Sequence, residues 1–235
     1  MTSESGRSKT EWRPLSSVKC NSPGVVEGNG RNTSKMMYGT DKNAGVIPKE
    51  IADKLRGKQY NNFDEFRNDF WKAVAETDYA NEFLINGDPK NYYRMKNGGA
   101  PLVVSNQAIN GSFTYQLHHI IPINQGGSVY SVDNLVVVTP RYHAEILIPE
   151  VHGYNGFKQF LDKEKDMDKL SREEVKELVE KISYGMGSDE EVSEWIQKIM
   201  DSVPNRNVVE AIMSGPNASI EEILDKLYTG NVIRL

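Results

Sequence analysis

Residues 115–147 read YQLHHIIPINQGGSVYSVDNLVVVTPRYHAEIL, and the fold turns on this stretch. An apolar run ends in the adjacent pair His118 and His119, Gly126 and Gly127 make a turn, and a second run, Leu135 to Val138, leads into Thr139 and Pro140. This pattern predicts two short strands joined by a loop, then a helix opened by Pro140 with His143 in its first turn. Neighbouring residues on a strand point to opposite faces, so the two histidines of the pair diverge. The hairpin and helix can then bring His118 and His143 together around one cation, while His119 polarises a water or accepts a proton.

On the N-terminal side, residues 1–43 are rich in Ser, Gly, Asn and Thr and read as a flexible arm, with local order around Trp12 and Met36, Met37 and Tyr38. A DNA-contacting arm is the alternative, but Glu4, Glu11 and Glu27 dilute its basic residues. Residues 44–150 read as a first domain. Ile51, Leu55, Phe63, Phe66, Phe70, Trp71 and Val74 recur at helical spacing, with Asn62 as an N-cap, and such an aromatic stripe is core material. The Gly and Asn clusters of residues 86–110 predict a long loop leading into the hairpin.

Beyond Leu147 the character changes. Residues 151–167 read as a linker carrying a short run, Phe157 to Leu161, and residues 168–235 as an acidic all-helical domain. Ser171 with Glu174, Ser188 with Glu191 and Ser219 with Glu222 each have capping-box spacing. The apolar faces behind them are Leu170, Val175, Leu178, Val179 and Ile182, then Val192, Trp195, Ile196 and Ile199, then Ile223, Leu224 and Leu227.

Composition narrows the classes. With 38% hydrophobic residues the 235-residue chain can bury real cores. One cysteine excludes an internal disulfide and suits a reducing compartment, the cytoplasm. No run approaches ~20 apolar residues, and no charged-then-apolar signal opens the chain, so neither a membrane span nor general secretion is expected. Through residue 150 there are 17 Lys/Arg against 16 Asp/Glu, and 11 against 17 from there on. A non-specific nucleic-acid binder needs a basic footprint, so DNA binding is expected to be weak or absent unless Lys54, Arg56, Lys58, Lys96 and Arg141 form a local patch.

The order of HH, then GG, DN, TP and H resembles the ββα-metal (HNH) motif of the nuclease domains of E-group colicins and S-type pyocins, and IPKEIADKLRGKQYNNFDEFRNDFWKAV resembles their helical body. The likeness runs over roughly residues 18–147. It implies a metal held by His118 and His143 and a general base at His119. The chain departs from the pattern at three places. Leu147 stands where the family has a second helix histidine that binds the metal, Gln116 where it has a glutamate, and Cys20, before Asn21, Ser22, Pro23 and Gly24, where it has an arginine. The resemblance thus implies a vestigial base at His119 and at most a weak Zn, Ni or Mg site at His118 and His143, since losing a ligand should cost at least the ~10- to 100-fold seen for outer-shell changes. His152 is a further donor to consider.

LSREEVKELVEKI, GSDEEVSEWIQKI and VPN resemble the four-helix DNase-immunity proteins of the same bacteriocins. That resemblance implies a toxin-binding face of Val192, Ser193, Ile196 and Met200, with Glu190 and Glu191 beside it, and a short-helix anchor at Glu210. Met213 and Ser214 stand where the family has aromatics. The expected architecture is α+β: an N-terminal ββα-metal (HNH) nuclease-like domain followed by an all-α four-helix immunity domain. Whole bacteriocins of the family carry long receptor-binding and translocation regions, so a complete toxin is not expected. The expected function is a bacteriocin immunity protein that binds and neutralises a colicin/pyocin-type DNase and carries a fused, inactive DNase-like domain. The alternative is a residually active metal-dependent HNH DNase carrying its own inhibitor. No cofactor is required on the first reading. The linker leaves open closure within one chain or exchange between two copies as a homodimer. Because an immunity role needs an accessible face, Val192, Ile196, Met200 and Glu210 are expected to stand clear of residues 18–147.

Overall fold

The computed structural model describes residues 19–39, 41–147 and 169–229. In chain order the first part holds β1 (Gly24–Val25), β2 (Met37–Tyr38), β3 (Ala44–Val46), α1 (Lys49–Leu55), β4 (Gln59–Tyr60) and α2 (Phe63–Ala75). A 3-10 turn, Asp78–Phe83, then leads to α3 (Lys90–Lys96), β5 (Gln116–His119), β6 (Leu135–Val138) and α4 (Pro140–Tyr142), which widens into a π turn at His143–Leu147. The second part is helical: α5 (Arg172–Ser183), α6 (Asp189–Ser202), α7 (Val208–Ile212) and α8 (Ile220–Thr229). None of the described helices is long and apolar enough to cross a membrane.

Four strands form an antiparallel sheet in the order β2, β3, β6, β5, and β1 pairs with β4 in a separate ribbon. Against the sheet lies α2. Its N-cap Asn62 accepts a hydrogen bond from Glu65 N, and its inner face buries Phe66, Phe70, Trp71 and Val74. Edge-to-face aromatic contacts run from Phe70 through Trp71 and Phe83 to Tyr115, with centroids 5.0–5.6 Å apart. The chain therefore enters the histidine strand directly from the aromatic core.

Two expectations are corrected here. From Lys19 onward, the described part of the expected arm joins the core: Met36 and Met37 are buried, where local order was expected, and so is Val26, where it was not. The Glu82 carboxylate accepts from both Met36 N and Met37 N, and Asp133 from Asn29 N and Gly30 N, so distant side chains satisfy this irregular backbone. Nor are residues 86–110 all loop: α3 sits inside them, with Arg94 and Met95 fully buried. Trp12, His152 and the connector run Phe157 to Leu161 lie outside the described residues.

In the helical part, α5 and α6 start with complete capping boxes at Ser171–Glu174 and Ser188–Glu191, and Ser219 with Glu222 bond reciprocally ahead of α8. Each satisfies amide groups that a helix start would otherwise leave unpaired. The four helices converge on Val175, Val179, Ile182, Val192, Ile196, Ile199, Val208 and Leu224. Ile85, Leu102 and Phe113 from the first part complete that same cluster.

Candidate functional site

Strand register and a helix start assemble the histidines. β5 and β6 pair with His118 opposite Val136 and His119 opposite Leu135. Gly127 is required in the loop between them, since a Cβ there would fall 1.9 Å from the Ile121 carbonyl oxygen. Asn134 ties the loop down, accepting from Ile121 N and donating to the Ile121 and Ser128 carbonyls. After β6, Thr139 caps α4 by accepting from Tyr142 N, and Pro140 occupies the first helical turn, which brings His143 over the strand. The His118 and His143 rings lie 4.7 Å apart between centroids.

His119 points the other way, as its alternation on the strand requires. Its Nε2 is 3.0 Å from the Val129 carbonyl oxygen and its ring lies 5.1 Å from Phe63. Burial holds its pKa below the ordinary histidine value, with the Val129 carbonyl pulling the opposite way. Gln116, two residues before His118, shares that residue's side of the strand. Its Nε2 donates to Ser112 Oγ, and its Oε1 is buried with no hydrogen-bond partner among the described residues. Cys20 is half-buried, and burial first, then the charge of Asp64, pushes its thiol pKa up. A protonated thiol at neutral pH neither attacks nor carries the positive charge of an arginine.

A metal does not fit this donor set as a complete centre. Catalytic zinc sites use three protein ligands, and among the described residues no group of three or more His, Cys, Asp or Glu side chains could hold an ion. His118 and His143 supply two nitrogens, and the next position at helical spacing is Leu147. Four of the five residues of the basic patch considered above are bound to acids: Lys54 to Glu76, Arg56 to Asp53, Lys58 to Asp69 and Arg141 to Glu145.

The second constellation was not legible in the sequence. Asp189, in the first turn of α6, places Oδ1 2.6 Å from Arg94 Nη2 and 2.8 Å from Ala100 N. Arg94 Nε also donates to the Ala100 carbonyl. Arg94 is 1% exposed and Asp189 8%, so this pair joins the two parts of the chain out of water. Burial draws the Arg94 pKa down, opposed mainly by Asp189. Beside it, Arg67 reaches Glu190 at 3.4 Å and Asp189 at 3.7 Å.

The residues expected to face a toxin are largely engaged within the chain. Glu210 accepts from Ser105 N at 2.7 Å and from the Ser105 hydroxyl, Ser193 Oγ accepts from Phe113 N, and the Met213 carbonyl accepts from Asn86. Val192, Ile196 and Met213 are buried in the cluster completed by Ile85, Leu102 and Phe113, and Met200 packs against its edge. Glu191 is taken up by its capping box, and Ser214 Oγ bonds back to the Ala211 carbonyl. Of Val192, Ile196, Met200 and Glu210, all expected to stand clear of residues 18–147, Glu210 is instead bonded to Ser105, and Val192 and Ile196 are buried in the helical cluster rather than presented on a face. The physical reason is a complementary charge and an apolar cluster shared across the junction.

A sequence model described as "Colicin/Pyocin-S2, DNase domain" matches residues 24–148, which is more than half of the chain. The chain belongs to the colicin/pyocin DNase family. It is 38% identical to colicin-E8 of Escherichia coli over 127 residues, covering 53% of this chain and 60% of that protein. It is 39% identical to pyocin-S2 of Pseudomonas aeruginosa over 127 residues, covering 53% of this chain and 18% of that one. The chain thus spans less than two thirds of these relatives. Among solved structures, the pyocin AP41 DNase-immunity complex aligns at 36% identity and TM-score 0.48, over 55% of this chain and 95% of that one. The mutant nuclease domain of pyocin S8 with its cognate immunity protein aligns at 34% and 0.47, over 53% and 99%.

Proposed function

We propose that the chain is a bacteriocin immunity protein: a catalytically silent ββα-metal nuclease-like domain fused to a four-helix immunity domain that recognises the DNase domains of colicins and pyocins in the cytoplasm. The observation that supports this most is the Asp189 carboxylate buried against Arg94 and the Ala100 amide, because in that contact the acidic helical face holds a surface of DNase-family sequence. Silence of the nuclease-like half follows from its side chains. Gln116 cannot ionise, Leu147 cannot coordinate, Cys20 cannot supply a cation, and the cationic side chains that would meet phosphate are mostly paired with carboxylates.

A cleavage and inhibition assay on supercoiled plasmid tests both parts. The chain alone with Mg²⁺, Ni²⁺ or Zn²⁺ is expected to leave plasmid intact, and added to an active DNase domain of the matched family it is expected to inhibit nicking. Failure to inhibit any DNase of the family, even when the contact between Arg94 and Asp189 is broken, would remove the immunity reading. The alternative, a residual DNase carrying its own inhibitor, draws on the close approach of His118 and His143. Metal-dependent nicking by the chain alone, abolished by His119→Ala, would establish that alternative.

A further inference from the structure

We infer that the nuclease-like half is a resident competitor for the immunity domain's DNase-binding face, so that an incoming DNase must displace it rather than meet an open surface. The inference rests on the immunity reading above and adds how that site is regulated. Its basis is occupancy. Asp189, Glu190, Ser193 and Glu210 already bond to Arg94, Arg67, Phe113 and Ser105 of the same chain. The two halves share one chain, with 21 residues between Leu147 and Lys169. A tether of that length sustains an effective concentration on the order of millimolar when it spans the two surfaces, so free toxin competes against a standing intramolecular contact. Apparent affinity for toxin is then reduced by the fraction of chains that are open.

The fit of the two halves is imperfect in a way that permits exchange. Arg94 Nη1 and Arg67 Nε are buried at the junction with no hydrogen-bond partner among the described residues. A cleft of ≈ 450 Å³ opens beside Arg67, lined also by Ser112, Gln116, Ser193, Glu194 and Gln197. Well-matched protein interfaces pack as densely as interiors and leave few buried donors unpaired. The resident half therefore leaves room and two guanidinium nitrogens at the edge of the face. The occupant that fits better is a DNase-family domain that sets a guanidinium against Asp189 and an amide with a hydroxyl against Glu210, and closes this cleft.

The test places the loosening changes on the competitor, leaving the immunity face itself untouched. The full-length chain, Arg94→Met and Phe113→Ala are each checked for folding by far-ultraviolet circular dichroism. Each is then titrated against the active DNase domains of colicin-E8 and pyocin-S2, with hydrogen exchange of the Ala100 amide followed in parallel. Removing one partner of a buried pair should shift closure by on the order of 100-fold. Both variants should accordingly inhibit at concentrations at least tenfold lower than the unaltered chain, and Ala100 in the unaltered chain should lose protection when toxin binds. Equal inhibition by all three proteins, or toxin binding that leaves Ala100 protected, overturns the competitor while the immunity reading stands. Absence of inhibition by every form, with Ala100 exposed in the variants, overturns both.

Discussion

Asp189→Asn isolates the charge of the junction from its shape. Asparagine keeps the volume and an acceptor oxygen for the Ala100 amide, but it leaves the Arg94 guanidinium, 1% exposed, with no counter-charge within hydrogen-bond distance. Removing one member of a buried pair typically costs about 3–5 kcal/mol, because the survivor stays charged and out of water. Arg94 keeps its bond to the Ala100 carbonyl, and the side-chain amide introduced opposite it still offers an acceptor, so the lower end, about 3 kcal/mol, is expected. The loss falls on the junction and not on the cores of the two halves. Native-state hydrogen exchange should therefore show the Ala100 amide exchanging about 100-fold faster, while amides in the middle of α2 and of α5 keep their rates. Glu194→Ala, which removes a solvent-exposed partner of Lys198 on the same helix, serves as the control and should change little. If Ala100 exchanged equally in Asp189→Asn and the unaltered chain, the junction would not depend on this pair, and the account of why the two halves associate would fail.

Trp71→Ala should cost about 3–5 kcal/mol in urea unfolding, since the side chain is fully buried between Phe70 and Phe83; a loss under about 1 kcal/mol would show that the site repacks. Leu147→His combined with Gln116→Glu should raise nickel affinity at least tenfold by calorimetry, and no gain would mean that His118 and His143 are not set for ligation. Ser171 lowers the Glu174 pKa through its hydroxyl and then its amide, and Ser219 lowers that of Glu222 through its amide and then its hydroxyl. Depressed folded values contribute stability above the unfolded carboxylate value of about 4.3 that is lost as pH falls through the folded ones, so Tm should drop in that window and drop less in Ser171→Ala with Ser219→Ala. An unchanged acid slope in the double variant would show that the capping boxes do not carry it.

The histidine hairpin and the helix starts were legible because their signals are local. A Gly-Gly turn between apolar runs, Pro140 after Thr139, and serines three residues ahead of glutamates each write their structure within a few positions. The order of residues 19–43 was not legible, because it comes from carboxylates far along the chain: Glu82 binds Met36 and Met37, and Asp133 binds Asn29 and Gly30. Around α3 the same residues that read as loop turned out to bound a helix. Asp88 accepts from Lys90 N at its start, and Gly98 leaves its end with φ +91°. Once Lys90–Lys96 is taken as loop, Arg94 is invisible as a core residue. Asp189 is equally masked, since an acid directly after an N-cap has a sufficient local reason to be there.

The division of labour at the junction explains why a charge is buried there at all. Ile85, Leu102 and Phe113 enter the apolar cluster of the helices, and each fully buried side chain of this kind contributes about 1.5–3 kcal/mol of association without regard to what lies opposite. An apolar contact of that sort would accept many surfaces. The Arg94 and Asp189 pair adds little net stability, because desolvating two ions offsets most of their attraction, but it penalises any partner that presents no guanidinium to the carboxylate. Glu210, held by an amide and a hydroxyl at Ser105, imposes a second such condition. The contact thus discriminates among the surfaces that could lie opposite the helical face, and that requirement acts on residues 94–113 and not on the histidines. If, as proposed, this half is retained for its surface, it must keep the strand pairing and the aromatic core that hold the segment in place, whereas its histidine ligands are under no such demand. On the proposed function, a buried Trp71 together with Gln116 and Leu147 in place of the residues the family resemblance implies is the outcome that this separation of demands produces.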